Sequence, residues 1–241
     1  MLTDFFNPVL NETSMIRENK PLKPLLITID GPAGAGKTTV SRQLAMRLGY
    51  TYLDTGALYR SVAYEVLKQG IDPGDDDELE SLCNLLDIRI EYNEGELSLF
   101  SGKTGITHKI RTPEISMMAS TVSASPVVRR YLMDIQRSIG LGKKVVAEGR
   151  DMGTVVFPDA DIKFYLDASV SERARRRFNE LGAEKGQSME KVTADMKKRD
   201  TNDTTRKHAP LKPAQDAVMI DSTGMNAEAV VSVMMDHIYG K

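Results

Sequence analysis

The fold class this sequence predicts is α/β: a central parallel sheet covered by helices on both faces, with one small antiparallel insertion. Three observations carry that reading. Short apolar, β-branched runs alternate with stretches of helical periodicity along most of the 241 residues. A glycine-rich loop joins the first such run to the first helical stretch. One segment, Asp87 to Ile110, departs from the rhythm and alternates with period two.

Residues 1–24 read as an extension, closed by the Lys20-Pro21-Leu22-Lys23-Pro24 stretch. Leu25-Leu26-Ile27-Thr28-Ile29, ending at Asp30, is apolar and β-branched, which suits a strand buried on both faces. Beyond the loop, Val40, Leu44 and Leu48 recur every four residues and mark one stripe of a helix. Further strands are expected at Thr51–Leu53, Lys144–Ala147, Asp161–Leu166 and Ala217–Ile220. Helices are expected in the intervals, among them Ala57–Lys68, Val127–Ile139, Ser171–Leu181, Met189–Asp200 and Ala227–Tyr239. The period-two segment turns at Asn93-Glu94-Gly95 and Gly102-Lys103, as a small meander would.

Composition excludes several classes. An apolar fraction of 41% with 27% charged residues fits a soluble globular chain, and no apolar run nears the ~20 residues of a membrane span. The first residues carry Asp4, Glu12 and Glu18 where a signal peptide would be apolar, so a cytoplasmic location is expected. A net charge of −2 gives no general attraction to nucleic acid, and none is expected as a partner. The single cysteine, Cys83, shares a helical face with Leu79, Leu82 and Leu86 and reads as a buried structural thiol. His108, His208 and His237 have no metal-ligand spacing.

Gly31-Pro32-Ala33-Gly34-Ala35-Gly36-Lys37-Thr38 matches G-x-x-x-x-G-K-[ST] in the required strand–loop–helix context. Such a loop cradles phosphates in backbone N–H groups, and the helix N-terminus adds partial positive charge. Lys37 can reach the outer phosphates, and the Thr38 hydroxyl can ligate magnesium. The loop alone leaves three classes open: a GTPase, a non-catalytic nucleotide-binding module and a kinase. Asp221-Ser222-Thr223-Gly224 has the form of a switch motif but stands near the chain end, and the one Asn19-Lys20 pair is followed by Pro21-Leu22, so a guanine reader is missing.

Three further sets of residues argue for a second, phosphorylated substrate. In LDTGALYR, Asp54-Thr55-Gly56 would cap a helix, with Arg60 one turn inside on the face of Gly56. Glu148-Gly149-Arg150-Asp151 is expected just past the end of a buried strand, where parallel sheets bind ligands. Arg199, Asp203 and Arg206 fall four and three apart on one helical face. Each set could be a salt-bridged surface, the third especially; together they supply an anion site. Arg173, Arg175, Arg176 and Arg177 lie on a helix that could serve as a lid over the transferring group.

These motifs together resemble the bacterial-type cytidylate kinases, nucleoside monophosphate kinases that use ATP to phosphorylate CMP and dCMP. ITIDGPAGAGKTT, LDTGALYR, EGRDMGTVVFPDADIKFYLDAS, ERARRR and KKRDTNDTTRKHAPL carry the resemblance, in the family's order, from Leu25 to Lys241. It implies a P-loop three-layer sandwich with a monophosphate-binding insertion at about 56–125 and a lid at about 173–187. It implies ATP as donor and Mg2+ as its companion, with Gly31, Pro32, Ala33, Gly34, Ala35, Gly36, Lys37, Thr38 and Thr39 around the donor phosphates. Thr38 would be the direct metal ligand, and Arg176 the lid cation. Thr55 would join the acceptor site, with Arg60, Arg150 and Arg206 on the acceptor phosphate. Ser120, Arg129 and Asp151 would read the cytosine edge, and Arg199 and Asp203 would face the sugar. Lys37, Arg150, Asp151 and Arg176 would form the catalytic set, in a monomeric enzyme. An ionised phosphate acceptor needs no strong general base, so an arginine-rich site without a nucleophile triad fits the chemistry.

Overall fold

The computed structural model describes residues 23–93, 96–181 and 188–240. Residues 1–22 of the expected extension, Glu94-Gly95 of one expected turn and residues 182–187 of the expected lid lie outside the described residues.

The central sheet has five parallel strands: β1 (Leu26–Asp30), β2 (Thr51–Asp54), β6 (Val145–Gly149), β7 (Ile162–Asp167) and β8 (Val218–Asp221), in the order β2-β6-β1-β7-β8. Between β2 and β6 the chain forms the meander β3 (Ile88–Asn93), β4 (Glu96–Ser101) and β5 (Thr104–Gly105), antiparallel as expected. The helices are α1 (Lys37–Leu48), α2 (Thr55–Gln69), α3 (Asp76–Leu85), α4 (Pro113–Val122), α5 (Pro126–Gly140), α6 (Val170–Leu181), α7 (Met189–Thr205) and α8 (Ala227–Ile238). No helix among the described residues is long and apolar enough to cross a membrane.

Strand alternation sorts the core into two layers. Ile27 and Ile29 of β1 and Val146 of β6 point to the side covered by α1 and α8, where they meet Leu44, Val231 and Met234. Val145 and Ala147 point the other way, into a larger cluster with Leu58 and Val62 of α2 and Leu132 of α5. Leu99, Ile106 and Ile110 extend that second cluster beneath the meander, with Leu79 and Cys83 of α3. Cys83 is a buried free thiol, as the helical spacing predicted.

Several element ends differ from expectation, and two of the differences bear on the site. The strand expected at Lys144–Ala147 runs on to Gly149, because β1 and β2 flank it and its last residues complete both ladders: Glu148 pairs with Ile29 and Asp54. Glu148 therefore lies inside the strand, one residue before its end, rather than following it. The helix expected at Met189–Asp200 continues to Thr205. Thr201, Thr204 and Thr205 turn their hydroxyls back to carbonyls four residues earlier, at 2.9, 2.7 and 2.7 Å, which satisfies these side chains within the last turns of the helix. Arg206, placed on the helical face by its spacing, is the C-terminal cap with extended backbone.

Candidate active site

The glycine loop closes against the carboxyl end of the sheet with no space to spare. A Cβ on Gly31, at φ 149°, would stand 1.9 Å from the Leu166 carbonyl oxygen, and one on Gly34 would stand 2.8 Å from that of Arg173. Gly36, at φ 92°, turns the chain into α1 and offers no side chain to cap it. The cap positions of α2, α3, α4, α5, α7 and α8 each supply a side-chain acceptor, so α1 keeps its free N–H groups for a ligand.

Lys37 is buried and folds back to donate to the Pro32 carbonyl at 2.7 Å. Burial, and then the nearby Arg150, lower its pKa to about 7. The Thr38 hydroxyl donates to Glu148 Oε1 at 2.8 Å, and the Tyr52 hydroxyl donates to the same oxygen. Glu148 Oε2 is buried with no partner. Burial, then the neighbouring Asp54, push the Glu148 pKa up.

From this loop a cavity of about 200 Å³ runs beneath α2, α4 and α7. Its wall includes Gly34, Gly36, Lys37, Thr38, Thr39, Thr55, Arg60, Ser120, Arg150, Asp151, Arg199, Asp203 and Arg206. Asp54 caps α2 through the Ala57 N–H at 2.8 Å and holds Arg60 at 2.9 Å one turn later. Thr55 Oγ1 donates to the Glu148 carbonyl at 2.6 Å. Arg150 Nε donates to Asp203 Oδ2 at 2.9 Å, and Ser120 Oγ to Asp203 Oδ1 at 3.2 Å. Burial works against the charges of both Arg150 and Asp203, but the surrounding opposite charges together outweigh it: Asp203, Asp200 and Glu148 raise the Arg150 pKa, and Arg150, Arg199 and Arg206 lower that of Asp203. Asp151 pairs with Arg129, which lies behind the wall, and with Arg206 Nη2 at 3.3 Å.

The partnering cuts across the groups the resemblance implied. Ser120 bonds to Asp203 rather than to Asp151, and Arg206 bonds to Asp151 rather than joining Arg60 and Arg150. Arg176 is not brought into the cavity. Its guanidinium donates to Ala35 O at 3.2 Å, Ser222 Oγ at 3.0 Å and Ser222 O at 2.7 Å, fastening α6 to the back of the glycine loop. Arg177 lines the cavity in its place. Arg199 has Arg150, Arg177 and Arg60 for neighbours, and burial followed by the Arg150 charge lowers its pKa to about 10. Its Nε is buried without a partner, as is that of Arg60. Such a cluster is built to receive anionic oxygens.

The model of the family described as cytidylate kinase matches residues 27–239. The chain belongs to the cytidylate kinase family. A cytidylate kinase of Geobacter sulfurreducens is 49% identical over 212 residues, covering 87% of this chain and 91% of that protein. One from Caldicellulosiruptor bescii is 44% identical over 220 residues, covering 90% and 97%. A crystal structure of an uncharacterized protein from Eubacterium ventriosum shares the fold, with a TM-score of 0.52 at 12% identity over 90% of this chain and 99% of that one.

Within this cytidylate kinase fold, sequence reasoning passed over Asp30, Tyr52 and Tyr59 as site residues, and it named Arg177 only as one of four arginines on the lid helix. Asp30 accepts from Met152 N and Gly153 N and so holds the π-helical turn Met152–Val156 that follows Arg150 and Asp151. Tyr59 lines the cavity with Arg129 over its ring, 5.9 Å from the centroid. The sequence showed Asp30 at the end of its strand, but its nearness to Asp54 at the end of β2 and Glu148 one residue before the end of β6 follows only from the sheet order.

Proposed function

We propose that this chain transfers the γ-phosphoryl group of ATP to the phosphate of CMP or dCMP, giving ADP and CDP or dCDP. The observation that carries this reading is the cavity itself. The phosphate loop and Lys37 form one end, and Arg60, Arg150, Arg199 and Arg206 gather around the remainder with Asp203 and Asp151 among them. Two anions must be brought together for such a transfer, and fixed cations on both sides offset their repulsion. Lys37 leaves Pro32 to meet the donor phosphates, which raise its pKa and hold it charged. Arg60, Arg150 and Arg199 take the acceptor phosphate and the transferring group, with Arg177 as the lid cation nearest them. Asp203, fixed by Arg150 and Ser120, faces the sugar.

Asp151 reads the base. Arg129 and Arg206 occupy one lone pair on each of its oxygens, and the remaining capacity accepts from the amino group of cytosine. The insertion at about 56–125 and helix α6, the described part of the lid, close around both nucleotides and exclude water as an acceptor.

The residues also fit magnesium. Thr38 would hold the ion, and the unpartnered Oε2 of Glu148 would accept from its water shell. When bound, the ion neutralises and orients the donor phosphates. The test uses γ-labelled ATP with CMP: the label should appear in CDP at a rate proportional to enzyme. Label that stays in ATP while both nucleotides bind would mean a binding module instead.

A further inference from the structure

We propose that Arg173 is a positioning residue that sets the distance between the phosphate loop and helix α7, and so aligns donor with acceptor. The proposal rests on the phosphoryl-transfer reading above. Arg173 is 5% exposed, at the junction of three elements. Its Nε donates to the Ala168 carbonyl just past β7 at 3.0 Å. Its Nη1 donates to Ala33 O, inside the glycine loop, at 3.0 Å, and to Asp200 Oδ2 on α7 at 2.6 Å.

What α7 carries makes this contact consequential. Asp200 is next to Arg199 and one helical turn before Asp203, which in turn holds Arg150 at 2.9 Å and Ser120 at 3.2 Å. A shift of Asp200 therefore moves the acceptor groups relative to the loop. The same junction is packed as well as bonded. A Cβ on Gly34 would meet Arg173 O at 2.8 Å and Met196 Cε at 2.9 Å, and Ala33, Ala174, Val192 and Met196 form a small apolar cluster around it. Packing of this kind holds the loop against α6 and α7, but apolar contacts are not directional. The guanidinium fork supplies direction, since its planar nitrogens reach all three acceptors at fixed angles, which an ammonium cannot do. Asp200 Oδ1 is buried without a partner, so this carboxylate is only half satisfied and held through its bond to Arg173.

In-line transfer is sensitive to such spacing: a displacement of about 1 Å can lower the rate on the order of a hundredfold. Losing the strut should therefore lower kcat while each nucleotide, bound alone, keeps its affinity. The test is Asp200→Ala, with kcat measured at saturating ATP and CMP, the Kd of CMP alone and of a non-hydrolysable ATP analogue alone by calorimetry, and the thermal midpoint. The account expects kcat at least tenfold lower and both Kd values within twofold of the parent. Asp200→Asn should recover kcat to within threefold, because its amide oxygen can still accept from Arg173. Arg173→Lys should resemble Asp200→Ala in kcat. A kcat within twofold of the parent despite a lower melting point would overturn the proposal, reducing the contact to a structural one. So would a CMP Kd that rises enough to explain the loss, or an Asn variant as slow as Ala. Failure of the functional reading is distinguishable, since it would appear in the parent enzyme as absent CMP-dependent ADP release.

Discussion

Asp30 and Met152 are 122 positions apart in sequence, yet the Met152 N–H donates to Asp30 Oδ1 at 2.8 Å. The second oxygen of Asp30 takes the Gly153 N–H at 2.8 Å. The strand that leads into the phosphate loop thus fixes the turn that follows Arg150 and Asp151, and the donor and acceptor halves share one buried carboxylate.

That carboxylate has a predicted pH signature. Burial, only partly offset by the two N–H donors, raises the Asp30 pKa from 3.8 to about 6. Between these values the folded protein binds more protons than the unfolded chain, so Asp30 contributes stability below pH 3.8 that is lost as pH rises through about 6. Urea unfolding of the parent and of Asp30→Asn should show the parent losing roughly 3 kcal/mol relative to the variant across that window. A difference independent of pH would mean that Asp30 titrates normally.

Lys37 should take up a proton when ATP binds. Its pKa of about 7 reflects burial and then Arg150, and donor phosphates reverse that field. Calorimetry at pH 7.5 in buffers of different ionisation enthalpy should report proton uptake in the parent and none in Lys37→Ala. The variant should also lose kcat by orders of magnitude, since the charge acts as negative charge redistributes on the phosphoryl group. Near-normal turnover in Lys37→Ala would remove this residue from the chemistry.

The two adjacent lid arginines should separate. Arg177 lines the cavity, whereas Arg176 is bonded to Ala35 and Ser222 behind the loop. Arg177→Ala should lower kcat tenfold or more with little change in ATP Kd, as expected on losing a charge-assisted contact of about 1.5–3 kcal/mol. Arg176→Ala should instead lower the melting temperature and weaken ATP binding. The reverse pattern would restore Arg176 as the lid cation.

How much of this was legible depended on whether the signal is local. The phosphate loop is one contiguous stretch whose glycines are required by its own geometry, so the sequence displayed it directly. Arg60 and Asp54 were nearly as plain, because a cap and a one-turn spacing place both on one helix end. The bond between Ser120 and Asp203 spans 83 positions and depends on α4 crossing α7, which no periodicity encodes. The four arginines of α6 were visible as a charge run, but their directions were not. Arg173 turns inward only because Ala33 and Asp200 offer acceptors there, and Arg176 because Ser222 does.

The most direct test of the account compares kcat/KM for CMP and UMP in the parent and in Asp151→Asn. Cytosine offers an amino donor where uracil presents a carbonyl, so an ionised Asp151 should favour CMP by several kcal/mol. An amide in its place can also donate, and the CMP-to-UMP ratio should fall at least tenfold, whatever the variant loses in general from Arg129 and Arg206. A ratio unchanged from the parent, with both substrates slowed equally, would contradict the account and leave Asp151 as a brace for its two arginines.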